Sequence, residues 1–456
     1  MTLRTSLAGL AVLTLTAAAA SANPSVYPTG TTVYDPAKAY NSYVVFGAPD
    51  GKSHLIDMAG HEVHSWYKSG FPSYIIDPKL VKGARGHILV QLETIEQEGA
   101  GVVPNEPPEF RNKTIGELDW DGKSVWTWGA QAPGGAAKQH HDYRRLPNGN
   151  TLVLAHLLHH VEGFRQPTQL DDVLYEVTPK GKIVWQWVAS DHIGEIGFTE
   201  AQVELIHNAP SPDYFHINNA NPVGPNKWAK AGDARFAPDN IIVDARNANF
   251  IAIIDRKTGR IVWEIGPNYP KPAGANNPFR GKPSLPRPVD QIVGQHDAHI
   301  IPEGLPGAGN LLVFDNQGEA GYPPAELGVN SGSRVLEIDP STKEIVWQYT
   351  ADLSGQPGWA FHSSFISSAR RLPNGNTLID EGMNGRFFQV TPQGEIVWEY
   401  VSPFFAKTPV GSSGVSVTSN WVYRAQPVPY DWVPEGTPHD ETAVTTPAVA
   451  GFRISH

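Results

Sequence analysis

The sequence predicts an all-β fold, a six-bladed β-propeller with four antiparallel strands in each blade. Two repeated patterns lead to this prediction. A tryptophan-containing phrase returns six times, as GHEVHSW at 60–66, GKSVWTW at 122–128, GKIVWQW at 181–187, GRIVWEI at 259–265, KEIVWQY at 343–349 and GEIVWEY at 394–400. A turn-and-strand unit returns four times, as RRLPNGNTLVLA at 144–155, DNIIVDAR at 239–246, GAGNLLVFDN at 307–316 and RRLPNGNTLIDEG at 370–382.

Each repeated pattern predicts strands. Apolar and polar residues alternate in the tryptophan phrases, as in a strand with one buried face. Most copies follow another strand across a Gly-, Asp-, Asn- or Pro-containing bend, which indicates a hairpin. The Asn-Gly of LPNGN is a strong hairpin turn, because both central positions tolerate positive φ. Four strands repeated in this order predict a propeller, whereas a pair of β-sandwiches does not explain six returns of one order.

The first copy of the repeat is incomplete. SYVVF, SHLID and EVHSW supply three strands, and SNWVYRAQPV at 419–428 is a strand without a blade. Because an open propeller edge invites aggregation, we expect the C-terminal strand to complete the first blade.

The first 22 residues resemble a secretory signal peptide. Arg4 precedes an apolar stretch from Leu7 to Leu15, and Ala20-Ser21-Ala22 forms a small-x-small cleavage pattern. No later apolar run reaches the roughly 18 residues that cross a bilayer. We therefore expect a signal peptide at 1–22, a single propeller domain at 23–456 and a periplasmic or secreted protein that does not bind membranes.

Composition excludes several classes of function. The chain has 46 acidic and 35 basic residues, a net charge of −11, and no basic run, which argues against nucleic acid as a partner. It has no cysteine, so disulfides and thiol nucleophiles are excluded. There is also no G-x-S-x-G elbow and no GxxxxGK[ST] loop.

Histidines recur at or just before the predicted first strands, where equivalent positions of successive blades converge on the propeller axis. They are His140, His141, His207, His216, His296, His299 and His362. We predict a shared pocket for general acid–base or nucleophilic chemistry. The other histidines, His156 among them, are interpreted as structural or surface residues. No histidine pair has a recognisable zinc spacing, HDAH being a weak candidate, so no metal and no cofactor are predicted.

Several ordered motifs resemble the bacterial arylsulfotransferase family over about residues 31–435. They are TTVYDPAKAYNSYVVF, HDYRRLPNGNTLV, GQHDAHIIP, GNLLVFDN, SARRLPNGNTLIDEGMNGRFFQVTPQGEIVWEYV and VYRAQPVPYDWVP. The resemblance implies a six-bladed periplasmic propeller that moves a sulfuryl group from an aryl sulfate to a phenol through a sulfated histidine, without a nucleotide donor. The chain departs from enterobacterial members in lacking cysteine, an N-terminal β-domain and an Arg soon after FDN.

The resemblance also implies roles for individual residues. His362 or His296 is the candidate nucleophile. Substrate-binding roles fall to His216, His299, Arg246, Arg386 and His141, with Arg246 or Arg386 in place of the missing arginine. Two other functions stay open on the sequence: a non-catalytic propeller that binds a partner, and a quinoprotein-like dehydrogenase. The oligomeric state is unknown from the sequence.

Overall fold

The computed structural model describes residues 27–95, 110–270, 284–325, 332–409 and 416–445. The signal peptide predicted at 1–22 lies outside the described residues. Six antiparallel sheets of at least four strands surround a central axis, which confirms the predicted fold class. We number the blades along the chain and name their strands from the axis outward as inner, second, third and outer.

The first three blades contain four strands each, in order from inner to outer. Blade 1 consists of Ala425–Val428, Tyr43–Gly47, Ser53–Ile56 and Glu62–Trp66. Blade 2 consists of Tyr74–Ile75, Ile88–Thr94, Asn112–Leu118 and Ser124–Trp128. Blade 3 consists of Gln139–Arg145, Thr151–His159, Gln169–Val177 and Ile183–Val188.

Blades 4 to 6 repeat the arrangement, and two of them gain a fifth, peripheral strand. Blade 4 consists of Ile217–Pro222, Ile241–Ala245, Phe250–Ile254 and Ile261–Ile265. Blade 5 consists of His296–Ile300, Leu311–Asp315, Arg334–Asp339, Glu344–Tyr349 and the peripheral Arg287–Pro288. Blade 6 consists of Ser368–Arg371, Thr377–Glu381, Arg386–Val390, Ile396–Val401 and the peripheral Gly30–Tyr34.

Both ends of the described chain close the ring. The C-terminal strand Ala425–Val428 pairs with blade 1, with Tyr43 opposite Val428 and Phe46 opposite Ala425, which confirms the predicted closure. The N-terminal strand Gly30–Tyr34 pairs with the outer strand of blade 6. That second pairing was not predicted from the sequence.

Short elements lie outside the blades. The two α-helices of the described residues are Glu200–His207, which begins with a capping box between Thr199 and Gln202, and Lys227–Lys230. A separate hairpin joins Ala406–Pro409 to Ser416–Ser419. The 3₁₀ turns are Pro78–Val81, Pro133–Gly135, Ala189–Glu195, Ala234–Phe236, Ala351–Ser354, Gly358–Ala360, Gly382–Asn384 and Tyr430–Trp432. Among the described helices, none combines the length and apolar character needed to cross a membrane.

The hydrophobic core lies between neighbouring blades. Each of six buried clusters joins two of them, and the cluster of blades 3 and 4, for example, contains Leu154 of one and Ala252 of the other. A tryptophan of every outer strand donates its indole N–H to a backbone carbonyl in the next blade. The donors are Trp66, Trp128, Trp187, Trp263, Trp347 and Trp398. We call these six residues the tryptophan ring.

The repeated tryptophans do not all occupy the core. The tryptophan phrases predict that Trp126, Trp185, Trp263, Trp347 and Trp398 pack between the blades, and Trp263 and Trp398 are buried as predicted. Trp126, Trp185 and Trp347 are only half-buried, and each ring lies beside an arginine. In blades 1 to 3 the last residue of the phrase donates the hydrogen bond to the next blade, while the half-buried Trp126 and Trp185 pack against the same inter-blade clusters.

Candidate active site

The inner strands bring three histidines to one end of the central channel. His141 is near the start of the inner strand of blade 3, His216 precedes that of blade 4, and His296 begins that of blade 5. The rings of His141 and His216 meet edge to face with centroids 4.5 Å apart. Both residues have a φ of 55°, a left-handed backbone conformation that is uncommon outside glycine. Such strain is typical of functional sites.

His216 is held in place by a carboxylate. Its Nδ1 lies 2.5 Å from Oδ2 of Asp213, three residues earlier in the chain. Burial raises the pKa of Asp213, but the charge and hydrogen bond of His216 outweigh burial and leave this pKa below its usual value. The pair fixes the imidazole through Nδ1 and leaves Nε2 available to a ligand.

His296 is buried and hydrogen-bonded on both nitrogens. Its Nδ1 lies 2.7 Å from Oδ1 of Asn316 and 3.0 Å from the carbonyl oxygen of Gly294, two acceptors that require an N–H. Its Nε2 accepts from the backbone N–H of Ile366 at 3.2 Å. Burial first and the charge of Arg246 second lower the pKa of His296 well below its ordinary value. The residue is therefore a neutral imidazole with its lone pair on Nε2.

Arg246 brings a positive charge to these histidines. It follows the second strand of blade 4, and its backbone N–H donates to the carbonyl oxygen of His216 at 3.0 Å. Its guanidinium donates to Oδ1 of Asn247 at 2.9 Å. Burial lowers the pKa of Arg246, while the charges of Asp213 and Glu319 oppose this shift. The predicted residues His141, His216, His296 and Arg246 thus form one cluster, which we call the pocket.

Aromatic side chains that the sequence analysis did not single out line this pocket. Phe71 stacks on Tyr423 with ring centroids 4.0 Å apart, and Tyr423 also contacts His141 at 5.4 Å. Phe110 lies 4.8 Å from His141 and 6.0 Å from His216. Phe71 and Tyr423 stand just before the inner strands of blades 2 and 1, the position that the histidines occupy in blades 3 to 5. Their equivalent positions in the repeat could have identified Phe71 and Tyr423 from the sequence. Considering only histidines at these positions overlooks both aromatic residues.

A second polar cluster lies inside blade 3, beside the pocket. His140 stacks on His156 with ring centroids 3.8 Å apart, and both rings face Asp172. Nδ1 of His140 is 2.8 Å from Nδ1 of His141, which links the two clusters. All three members are buried. The sequence analysis interpreted His156 as a structural or surface residue and did not predict that it belongs to this cluster.

His299 lies within a separate arginine cluster further along the channel. Burial and then the charge of Arg370 lower the pKa of His299 well below its usual value, with Arg144 and Arg424 adding to this effect. Arg424 pairs with Asp142 at 3.1 Å and with Asp297 at 3.3 Å. The structure therefore separates His299 from the histidines of the pocket.

Three other candidate residues also lie apart from the pocket histidines. His362 is exposed on the segment that leads into blade 6, and its backbone N–H donates to Glu381 at 2.8 Å. Arg386 is buried between Glu381 and Glu399, at 2.9 and 2.5 Å. His207 ends a helix and packs against Phe164, 4.8 Å between ring centroids. Among the described residues, none of these three side chains contacts the imidazole of His216 or of His296.

The fold and the site define a β-propeller in which histidines, an arginine and aromatic rings of successive blades cluster at the inner strands. The chain belongs to the arylsulfotransferase (ASST) family, whose sequence profile matches residues 57–416. The members of this family are aryl-sulfate sulfotransferases.

Solved structures that resemble the chain are distant from it in sequence. A protein of unknown function from Bacteroides caccae is 12% identical with a TM-score of 0.46, covering 85% of this chain and 99% of its own. Periplasmic gluconolactonase from Pseudomonas aeruginosa gives the same identity and coverage with a TM-score of 0.39. Virginiamycin B lyase from Staphylococcus aureus is 12% identical with a TM-score of 0.35, covering 82% of this chain and 84% of its own. No curated protein sequence matches the chain.

Proposed function

We propose that this enzyme transfers a sulfuryl group from an aryl sulfate to a phenol, without a nucleotide, through a sulfohistidine formed on His296. The observation that carries the proposal is the convergence of His141, His216, His296 and Arg246 in one pocket of a chain from the arylsulfotransferase family. The proposed reaction requires neither a phosphate-binding loop nor a cysteine.

His296 is the group best prepared to act as the nucleophile. Its Nδ1–H is held by Asn316 and Gly294, so the lone pair is on Nε2, and its lowered pKa keeps it neutral near pH 7. Nε2 attacks the sulfur, an N–S bond forms, and the bond from sulfur to the aryl oxygen breaks. The positive charge left on the ring is shared with Asn316 through Nδ1–H. Ile366 gives up its 3.2 Å contact with Nε2, and its N–H can then donate to a sulfuryl oxygen.

Arg246 binds the sulfuryl oxygens, and His216 transfers the proton. A guanidinium matches the charge and geometry of sulfuryl oxygens, and a donor preorganised in a buried site stabilises negative charge strongly. His216, oriented by Asp213, exchanges a proton through Nε2: it donates to the departing phenolate and later accepts from the incoming phenol. The phenol oxygen then attacks the sulfur, the N–S bond breaks, and His296 regains its neutral form, which gives ping-pong kinetics.

The aromatic residues account for an aryl donor and a phenolic acceptor. Phe71, Phe110 and Tyr423 surround His141 at 4.8 to 5.4 Å between ring centroids. Offset or edge-to-face contacts with these rings favour a flat aromatic group, each by about 0.5–1.5 kcal/mol beyond burial.

A chromogenic aryl sulfate incubated with a phenol tests the function. We expect chromophore release that rises with the phenol concentration, needs no nucleotide, and falls at least about 1000-fold in His296→Ala, as when a group that acts in a catalytic unit is lost. Arg246→Lys keeps the charge but loses the planar fork, and we expect about a 10- to 100-fold loss of kcat. His160→Ala, a change at an exposed histidine, is the matched control.

Two outcomes would contradict parts of this scheme. Chromophore release that ignores the phenol would indicate hydrolysis rather than transfer. Full activity in a folded His296→Ala variant with loss in His362→Ala would return the nucleophilic role to His362.

We also propose that sulfuryl transfer occurs in the periplasm or outside the cell. The support is the signal-like segment at 1–22, with its apolar stretch and Ala20-Ser21-Ala22 pattern. The intact mass of exported protein should correspond to a chain that starts near Asn23. Retention of the first 22 residues would contradict cleavage.

A further inference from the structure

Three adjacent strands of blade 3 direct one metal-binding side chain each to a common point. His140 is on the inner strand, His156 on the second and Asp172 on the third, and His156 is directly opposite Asp172 in the strand pairing. One ligand atom from each residue lies within 4.8 Å of the others. Side chains carried by paired strands are held more rigidly than side chains on loops, as a metal centre requires.

Four polar atoms of this cluster have no hydrogen-bond partner among the described residues. Both ring nitrogens of His156, Nε2 of His140 and Oδ1 of Asp172 are buried with no hydrogen bond of acceptable geometry within the described part of the chain. Leaving one buried polar atom unsatisfied costs about 1–3 kcal/mol, so four of them in one place call for an explanation. A cation bound between them would satisfy an atom of each residue.

We infer that His140, His156 and Asp172 bind a divalent transition metal of the zinc class. Imidazole favours zinc and its neighbours over calcium or magnesium, and three protein ligands leave one position open. Tetrahedral ligands about 2.0–2.1 Å from zinc are about 3.3 Å apart. Oδ1 of Asp172 is 3.3 Å from Nε2 of His140 and 3.9 Å from Nε2 of His156, the first at the zinc-site spacing and the second slightly longer.

The groups around the cluster are arranged as supporting contacts of a metal site. Oδ2 of Asp172 accepts from the backbone N–H of Ile217 at 3.0 Å, which orients the carboxylate and leaves Oδ1 for the metal. A metal on Nε2 of His140 would leave its Nδ1 as an N–H donor to Nδ1 of His141, 2.8 Å away. His141 would then carry its proton on Nε2. The metal would thus position a residue of the pocket without touching the substrate.

The sequence alone contains no such indication, because the ligands follow no zinc motif. They stand at 140, 156 and 172, sixteen residues apart, a spacing set by two hairpins of the blade. The inference is independent of sulfuryl transfer, since the metal is measured with no donor present.

Metal analysis of the full-length protein after dialysis, followed by titration of the chelator-treated protein with Zn²⁺ and Co²⁺, tests the site. We expect one metal per chain, a visible Co²⁺ absorption typical of low coordination, and melting at a higher temperature with Zn²⁺ than without. His156→Asn and Asp172→Asn should weaken Zn²⁺ binding by at least about tenfold. His159→Asn is the matched control, because His159 is on the same strand but contacts Asp171 at 2.8 Å.

Protein that is free of metal as isolated and shows neither Co²⁺ absorption nor a Zn²⁺-dependent melting temperature would overturn the inference. The same holds if His159→Asn weakens binding as much as His156→Asn does. Because the wild-type titration is decisive by itself, the test does not depend on the folding of either ligand variant.

Discussion

Adjacent residues of the repeat have different roles, as two Arg-Arg pairs illustrate. The residue pair Arg-Arg occurs at 144–145 and again at 370–371. Arg145 and Arg371 pair with Glu117 and Glu337, at 2.5 and 2.7 Å. Arg144 and Arg370 instead contribute to the charge around His299, because successive side chains of a strand point to opposite faces. The alternation is readable in the sequence, whereas the convergence of these arginines with Arg424 requires the closed ring.

Part of the pocket could also be predicted from the repeated strand pattern. A histidine before a repeated strand marks His141, His216 and His296, because first strands line the axis. The same rule also selected His207, which packs against Phe164, and His362, whose side chain is exposed. A strand position alone does not specify on which side of a loop a side chain points. That choice depends on neighbours such as Asn316, twenty residues after His296, and Asp213, three residues before His216.

The histidine of the arginine cluster should make stability depend on pH. The folded pKa of His299 is lowered, so below about pH 6.5 the unfolded chain takes up a proton that the folded protein does not. Its contribution to stability is therefore complete above about pH 7.5 and is lost as the pH falls. Between pH 7.5 and 5 the stability advantage of wild type over His299→Asn should shrink, as measured by urea unfolding. A pH-independent difference would show that His299 does not titrate in this way.

At the scale of elements, the outer strands contain tryptophans in two environments, one buried and hydrogen-bonded to the next blade and one half-buried beside an arginine. Trp187 is buried and donates to the carbonyl oxygen of Gly259 at 2.9 Å, whereas the half-buried Trp185 lies under Arg256, 3.9 Å from guanidinium carbon to ring centroid. The sequence phrase predicted both strands correctly. It did not distinguish the two tryptophans, because the contact comes from the last residue of the phrase in blades 1 to 3 and from the fifth residue in blades 4 to 6, where the last residue is Ile or Tyr.

This difference can be measured by removing the indole N–H. Trp187→Phe removes the hydrogen bond to the half-buried carbonyl oxygen of Gly259 and part of a buried ring, and we expect a loss of about 1–3 kcal/mol in the free energy of unfolding. Trp185→Phe should cost less than about 1 kcal/mol, since a half-buried cation–π contact is weak. Urea unfolding of both variants gives the comparison, and an equal or larger loss in Trp185→Phe would refute the assignment.

At the scale of the whole molecule, the ring is closed by chain ends that are far apart in sequence. Ala425–Val428 completes blade 1, and the residues just before it, Tyr423 and Arg424, contribute to the pocket and to the arginine cluster. The sequence predicted this closure because the first blade lacked a strand. The peripheral strand Gly30–Tyr34 was not predicted, because it belongs to no repeat.

Truncation tests the closure directly. A chain that ends at residue 415 loses the inner strand of blade 1 and exposes an unpaired edge, so we expect it to lose cooperative unfolding in a calorimetric scan. A chain shortened only after residue 445 keeps every described strand and is the control. If the shorter chain melts like the control, blade 1 does not need its C-terminal strand.

The central claim concerns one covalent bond, formed when the whole ring presents His296 to an aryl sulfate. The direct measurement is mass spectrometry of the enzyme after incubation with donor alone, under conditions that preserve a labile N–S bond. We predict one added sulfuryl group on His296, its removal when a phenol is added, and no adduct in His296→Ala. A stable adduct on His362 or on another residue, with His296 unmodified, would contradict the proposed mechanism.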